Sequence, residues 1–448
     1  MEPHLPPDPL SGAAGFAAPP DGPSARARDE ARLGLYVHVP FCAVRCAYCD
    51  FSSGRLSAAA VERWMRALER ECELRAPTAA GAHFTSVFFG GGTPSAIPSH
   101  RFARVWRTLT EHFAIAPGAE VTLEANPESV KPSLLEAWAA AGVNRLSMGA
   151  QSFDPAELQA LGRIHGPERP AEAFALARAH GFRRLSLDLM FGFPSHDAAT
   201  WEATLDRALA LEPEHLSAYA FIPEAGTPLG DAVIGGSARL PDDDRQADLY
   251  ESLVRRAGET GLAPYETSNF ARAGGECRHN LVYWLRREYL GLGPSAHGLW
   301  HGRRYANAYA LERWAGALEA DRDCDTVEQE SASSRADETV MLGLRLGTGV
   351  DFRDLPAPAR TELEARYGAA FAAAVAAGRL ERTAGGVRIP PALRFVADDV
   401  IAWTMARARP LADAPRMAAI PEVMSRPPAA PVAASPAATV AAPAAAGI

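Results

Sequence analysis

Leu35-Tyr36-Val37-His38-Val39-Pro40 runs straight into Phe41-Cys42-Ala43-Val44-Arg45-Cys46-Ala47-Tyr48-Cys49-Asp50-Phe51, and this join decides how the chain is read. The first run is apolar, rich in β-branched and aromatic residues, and closes on a proline, the mark of a short strand. The second places three cysteines at C-x3-C-x2-C spacing on one loop. Thiolates are the natural ligands of iron–sulfur clusters. A [4Fe–4S] cube needs four ligands and this loop has three, so Cys42, Cys46 and Cys49 would leave one iron open. S-adenosylmethionine (SAM) can fill that corner through its amino and carboxylate groups, which puts its sulfonium where cluster reduction can break a C–S bond. The rival is a structural zinc site, which normally closes with four protein ligands; His38 is the nearby candidate for the fourth.

Outward from this loop the same strand signature recurs at residues 86–89, 121–125, 145–149, 184–191 and 216–221. Helical patterns fall between, at 57–75, 99–113, 132–141, 168–180, 198–211 and 242–260. On 57–75, Val61, Trp64, Leu68, Cys72 and Arg75 share one face, so Cys72 reads as core. Strands alternating with helices argue for βαβ units and a parallel sheet. The expected class is α/β, a partial or full (β/α) barrel, with its site at the C-terminal ends of the strands. The cysteine loop, Gly90-Gly91-Gly92-Thr93, Glu124, Gln151 and Asp188 all fall at or near that end of successive strands.

Bulk properties narrow the class. The chain has 448 residues, 48% of them hydrophobic, and a formal charge of -9. Lys131 is the only lysine, and no basic stretch is dense enough for a phosphate-tracking groove, so nucleic acid is not an expected partner. No apolar run approaches the roughly 18 residues of a membrane span. The N-terminus has no signal-peptide pattern, and six cysteines without one point to a reducing cytoplasm. Residues 1–30 read as a disordered extension, 31–260 as the barrel core and 261–330 as a connecting region dense in aromatics, Gly and His. Residues 331–408 read as a small α+β accessory domain of winged-helix type with a hairpin near LERTAGGVRI, and 409–448 as a disordered Pro/Ala-rich tail.

The cysteine loop, together with Phe89-Gly90-Gly91-Gly92-Thr93-Pro94, Glu124-Ala125-Asn126-Pro127, Ser147-Met148-Gly149-Ala150-Gln151-Ser152, Asp188-Leu189-Met190-Phe191-Gly192 and His279-Asn280-Leu281-Val282-Tyr283-Trp284, resembles the radical SAM superfamily. Within it the likeness is to the oxygen-independent coproporphyrinogen III oxidase-like family, over residues 33–408. The resemblance implies a [4Fe–4S] cluster and SAM. It marks Tyr36 and Arg163 as SAM-contacting positions; by their own chemistry the backbone at Gly91, Gly92 and Thr93 can grip the amino group of SAM, Glu124 the amino group or ribose hydroxyls, Gln151 and Asp188 a ribose or a second ligand, and Tyr48 can stack on adenine.

A second cluster is Cys277-Arg278-His279-Asn280-Leu281-Val282-Tyr283-Trp284. Imidazole and thiolate are both axial ligands of haem iron, and Tyr283 and Trp284 could stack on a macrocycle. The resemblance associates His279, Asn280, Tyr283 and Trp284 with haem binding in the haem-chaperone branch of the family. Cys277 and His297 are weaker candidates, and Cys324 has no informative context. Two functions compete: carrying haem as cargo to client proteins, and radical decarboxylation of coproporphyrinogen III; a radical SAM enzyme of another substrate is a third. In the oxidase branch the third cysteine is followed by Gly-Cys, whereas Cys49 is followed by Asp50-Phe51, and the oxidase has an ordered N-terminal arm that residues 1–30 look unable to form. Both departures favour the chaperone branch. An electron donor is an implied partner.

Overall fold

The computed structural model describes residues 22–194, 196–322 and 326–411. Twelve strands make one sheet. Six parallel strands lead: β1 (Gly34–Val39), β2 (His83–Gly91), β3 (Ala114–Ala125), β4 (Arg145–Gln151), β5 (Arg184–Phe191) and β6 (His215–Ala220). Then come β7 (Ala263–Pro264), β8 (Asn269–Ala271), β9 (Tyr289–Leu292), β10 (His297–Trp300), β11 (Arg303–Ala306) and β12 (Thr326–Gln329). The spatial order is β12-β11-β10-β9-β1-β2-β3-β4-β5-β6-β8-β7, with β9 parallel to β1 and the outer strands antiparallel. The two ends of the sheet do not pair with each other, so the barrel is partial.

Strand parity divides the molecule. Leu35, Val37 and Val39, Val87 and Phe89, Leu146 and Met148, and Leu185, Leu187 and Leu189 join one core with the outer helices, including Trp64, Leu109, Trp138 and Trp201. The alternate residues, Tyr36, Phe88, Gly90, Glu124, Ser147, Asp188 and Ser217, face the hollow side. Period-two alternation therefore buries hydrocarbon on one face and lines the lumen with polar groups on the other.

The expected strands and the six long helices all form, with boundaries within a few residues except at β3, which starts earlier. Two readings need correction. Residues 25–30 are not disordered: Ala25–Glu30 is a helix capped by Ser24, with Ala27 and Ala31 packed on Tyr265, Leu281 and Val282. Residues 1–21 and the tail from 412 onward lie outside the described residues, as does Cys324. The 261–330 segment is not a separate connector, because it supplies six strands of the same sheet. Its helix Arg278–Trp284 contacts β2 and the helix Ala25–Glu30.

The accessory domain holds helices Ala332–Gly343, Ala357–Ala376 and Ala397–Met405 with a three-stranded antiparallel sheet that includes the hairpin Glu381–Arg382/Gly386–Arg388. It has its own core around Tyr367, Phe371 and Val400. No helix among the described residues is long and apolar enough to cross a membrane.

Candidate functional site

The cysteine loop leaves β1 and lies over the mouth of the partial barrel. Cys42, Cys46 and Cys49 are each partly exposed and unpaired as disulfides. Burial pushes the Cys49 thiol up to about 11, and the neighbouring Cys46 and Cys42 add to the shift. Cationic iron would relieve that crowding of sulfur and take the proton away. Among the described residues no three His, Cys, Asp or Glu side chains converge as one metal ion would require. His38 does not complete a zinc set either: its Nδ1 meets the Tyr36 hydroxyl at 3.0 Å and its Nε2 meets the Ser52 carbonyl at 2.8 Å. The loop thus presents three thiols without a fourth ligand, the donor set a [4Fe–4S] cluster with one open iron needs.

The glycine run is held by close approach. Gly91 sits at φ +108°, where a Cβ would strike the His38 ring at 2.5 Å, and a Cβ on Gly92 would fall 2.6 Å from the Phe41 carbonyl oxygen. Thr93 donates its hydroxyl toward Cys42 Sγ at 3.5 Å and accepts from Asn126 Nδ2 at 3.3 Å. Arg163 is a bridge: it donates to Cys46 Sγ at 3.4 Å, Asn126 Oδ1 at 2.9 Å and the Gly149 carbonyl at 2.7 Å. Tyr48 packs beneath the loop against Leu161, Met190, Phe193 and Phe221.

Below the loop, Glu124 accepts one backbone hydrogen bond, from Gly91 N–H at 3.2 Å, and has no cation beside it. Burial, reinforced by Asp188, raises its carboxyl to about 8. Asp188 accepts from Ser147 at 2.9 Å and is itself raised by burial. Among the described residues neither carboxyl forms an ion pair, although Arg145 and Arg163 lie near enough to Asp188 to oppose its rise, and such a buried acid pair suits a ligand that brings an ammonium group. Gln151 closes β4 at φ 67°, at a register shift between β4 and β5; a non-glycine residue there is strained, as residues at ligand sites often are. Sequence reasoning missed Asn126, which joins Thr93 to Arg163; its position in Glu124-Ala125-Asn126-Pro127 at a strand exit was the available signal.

Glu124 gives a pH test. The unfolded chain releases the Glu124 proton near 4.5 and the folded chain near 8, so between those values only the folded state holds it and stability falls as pH rises. Glu124→Gln is expected to stabilise the ligand-free protein at pH 8.5 by at least about 1 kcal/mol relative to its effect at pH 5. Thermal unfolding at both pH values checks this; an equal effect at both would mean the carboxyl ionises normally.

The second cluster lies deeper than expected. His279 is fully enclosed, with Nδ1 2.9 Å from Ser86 Oγ and Nε2 2.7 Å from the Tyr283 hydroxyl. Burial drops its pKa to about 3. It stacks on Phe88 and Tyr36, so it closes the floor of the lumen instead of presenting a free nitrogen to iron. Cys277 is buried with its thiol 3.5 Å from Glu120 and raised to about 12 by burial and that carboxylate. His297 begins β10 on the surface. Cys72 is core, as expected. Asn280, Tyr283 and Trp284 reach a cavity of about 320 Å3 shared with Tyr219, Asn269 and Phe395.

This sheet, with three thiols over its mouth and a polar lumen beneath, defines a radical SAM protein. The Radical SAM superfamily model matches residues 36–208 and the HemN C-terminal domain model residues 331–396. Proteins named heme chaperone HemW are 40% identical over 341 residues in Mycobacterium tuberculosis (74% of this chain, 86% of that protein) and 33% identical over 322 residues in Bacillus subtilis (70% and 84%). The solved structure titled coproporphyrinogen III oxidase (HemN) from Escherichia coli superposes with TM-score 0.72 at 21% identity, over 87% of this chain and 91% of that one, which shows the shared fold. The chain belongs to the HemW family of the radical SAM superfamily.

Proposed function

We propose that this protein binds one [4Fe–4S] cluster and SAM and carries haem to client proteins in the cytoplasm. The observation that carries the reading is the likeness to proteins named heme chaperone HemW along most of both chains. Cys42, Cys46 and Cys49 would hold the cluster. Tyr36, the backbone of Gly91 and Gly92, Glu124, Gln151 and Asp188 would hold SAM, while Thr93 and Arg163 fix the thiols of Cys42 and Cys46. When bound, the cluster supplies an electron for reductive cleavage of SAM. The chain's own part is electrostatic. Glu124 gives up its proton as it meets the ligand's ammonium group, and Arg163 places positive charge beside a sulfur ligand. Of the haem motif, Trp284 and Tyr283 are the residues available for stacking.

The oxidase reading is the competitor. Its sequence mark, Gly-Cys after the third cysteine, is replaced here by Asp50-Phe51. The N-terminal argument carries less weight, because residues 22–30 are ordered against the Arg278–Trp284 helix. Anaerobic protein with cluster, SAM, a reductant and coproporphyrinogen III is expected to form no protoporphyrinogen, while haemin added to the same protein yields a saturable Soret band. Product at useful turnover would overturn the chaperone reading.

A further inference from the structure

A cavity beside the haem-type motif lies on the far side of Trp284, between the barrel and the accessory domain. It encloses about 590 Å3, within the range of small-molecule sites. Its apolar wall includes Leu33, Trp284, Leu285, Leu346 and Val350. Its charges are unevenly matched. Asp354 is taken by Arg28, Asp351 by Arg353 at 2.6 Å and Glu362 by Arg335 at 2.9 Å. Glu288 accepts the His301 backbone N–H at 2.8 Å, and Arg286 is paired to Glu330 and Glu338. Among the described residues, Arg32 and Arg287 form no ion pair; the Arg32 guanidinium donates to the Asp29 backbone carbonyl at 2.8 Å. Half-burial, and then the Arg32 charge, lower the Arg287 pKa. Two adjacent cations are thus held over an apolar wall: three of the four lining carboxylates are paired to arginines, Glu288 is held only by a backbone N–H, and Asp29 is the acid whose charge reaches Arg287.

We infer that this cavity is the cargo site: it takes a flat, apolar ring bearing two carboxylates, with the ring against Trp284 and Leu285 and the carboxylates on Arg32 and Arg287. This rests on the haem-carrying reading above and gives the cargo a place. Arginine is suited to both jobs, as a planar donor to carboxylates and as a cation weakly enough hydrated to leave water. Among the described residues no histidine, cysteine, methionine or tyrosine lines the cavity. The ring is therefore held by its edge and faces, and its metal is left to the ligands of the recipient. Iron-free protoporphyrin IX should bind as well as haem does.

The test uses full-length, cluster-loaded protein titrated with haemin, protoporphyrin IX and haemin dimethyl ester. The wild type is expected to bind the first two alike and the ester about tenfold more weakly, the loss of one or two charge-assisted contacts. Arg32→Glu/Arg287→Glu is expected to weaken haemin by at least about tenfold and leave the ester unaffected. Ala359→Trp, which fills the cavity from the helix Ala357–Ala376, should weaken all three. Arg345→Glu, in the smaller cavity across Trp284, should change none. Unchanged haemin affinity in the double variant or in Ala359→Trp overturns the site while leaving the cargo reading intact. A wild type that binds no porphyrin overturns both.

Discussion

Cys46→Ala is expected to give a folded, colourless protein. The loop residue is partly exposed, and no core contact depends on its sulfur, so thermal stability should change by less than about 1 kcal/mol. The cluster has no replacement ligand: His38 has both ring nitrogens engaged, Cys72 and Cys277 are buried, and Arg163 would lose the sulfur it faces. Iron and sulfide analysis after anaerobic reconstitution, with the charge-transfer absorbance of the cluster, checks this. Retention of a full complement of iron by Cys46→Ala would remove the central assignment.

His279→Ala is expected to cost about 3 kcal/mol or more, from the space vacated and from two buried hydroxyls left without a partner. Ser86 and Tyr283 both lean on the ring, and Phe88 stacks on it at 5.1 Å. Chemical denaturation checks the number. The substitution therefore confounds any haem-binding assay, since lost affinity would follow from a collapsed lumen floor. His279→Gln, which can keep one of the two hydrogen bonds, should recover part of the stability. If His279→Ala were as stable as the wild type and yet abolished the Soret band, the imidazole would be an iron ligand after all.

These two residues mark where sequence reading succeeds and where it stops. Strand β5 was legible at its observed limits because its alternation and its flanking turn are local. The cysteine spacing was legible because a ligand loop is written in consecutive residues. His279 was not, because its environment is assembled from Ser86 and Phe88, nearly 200 positions away in sequence, and from Tyr36, farther still. A histidine in an aromatic-rich segment reads the same whether its ring ends in a core or at a ligand. The role of Arg163 was hidden for the same reason: its partners Cys46, Asn126 and Gly149 come from three different strand exits. The segment 261–330 looked unlike the βα repeats before it, and strands of two to four residues leave little periodicity to detect.

An open sheet carries a hazard that a closed barrel escapes, because each outermost strand exposes unpaired amides to any neighbour. Here one border is the two-residue β7, half of it Pro264, which has no N–H to donate. The other border is β12, four exposed residues that include Glu328. Short, charged or proline-capped borders discourage fibril-like stacking between molecules. The sheet thus stays open without offering a long unpaired edge to another copy.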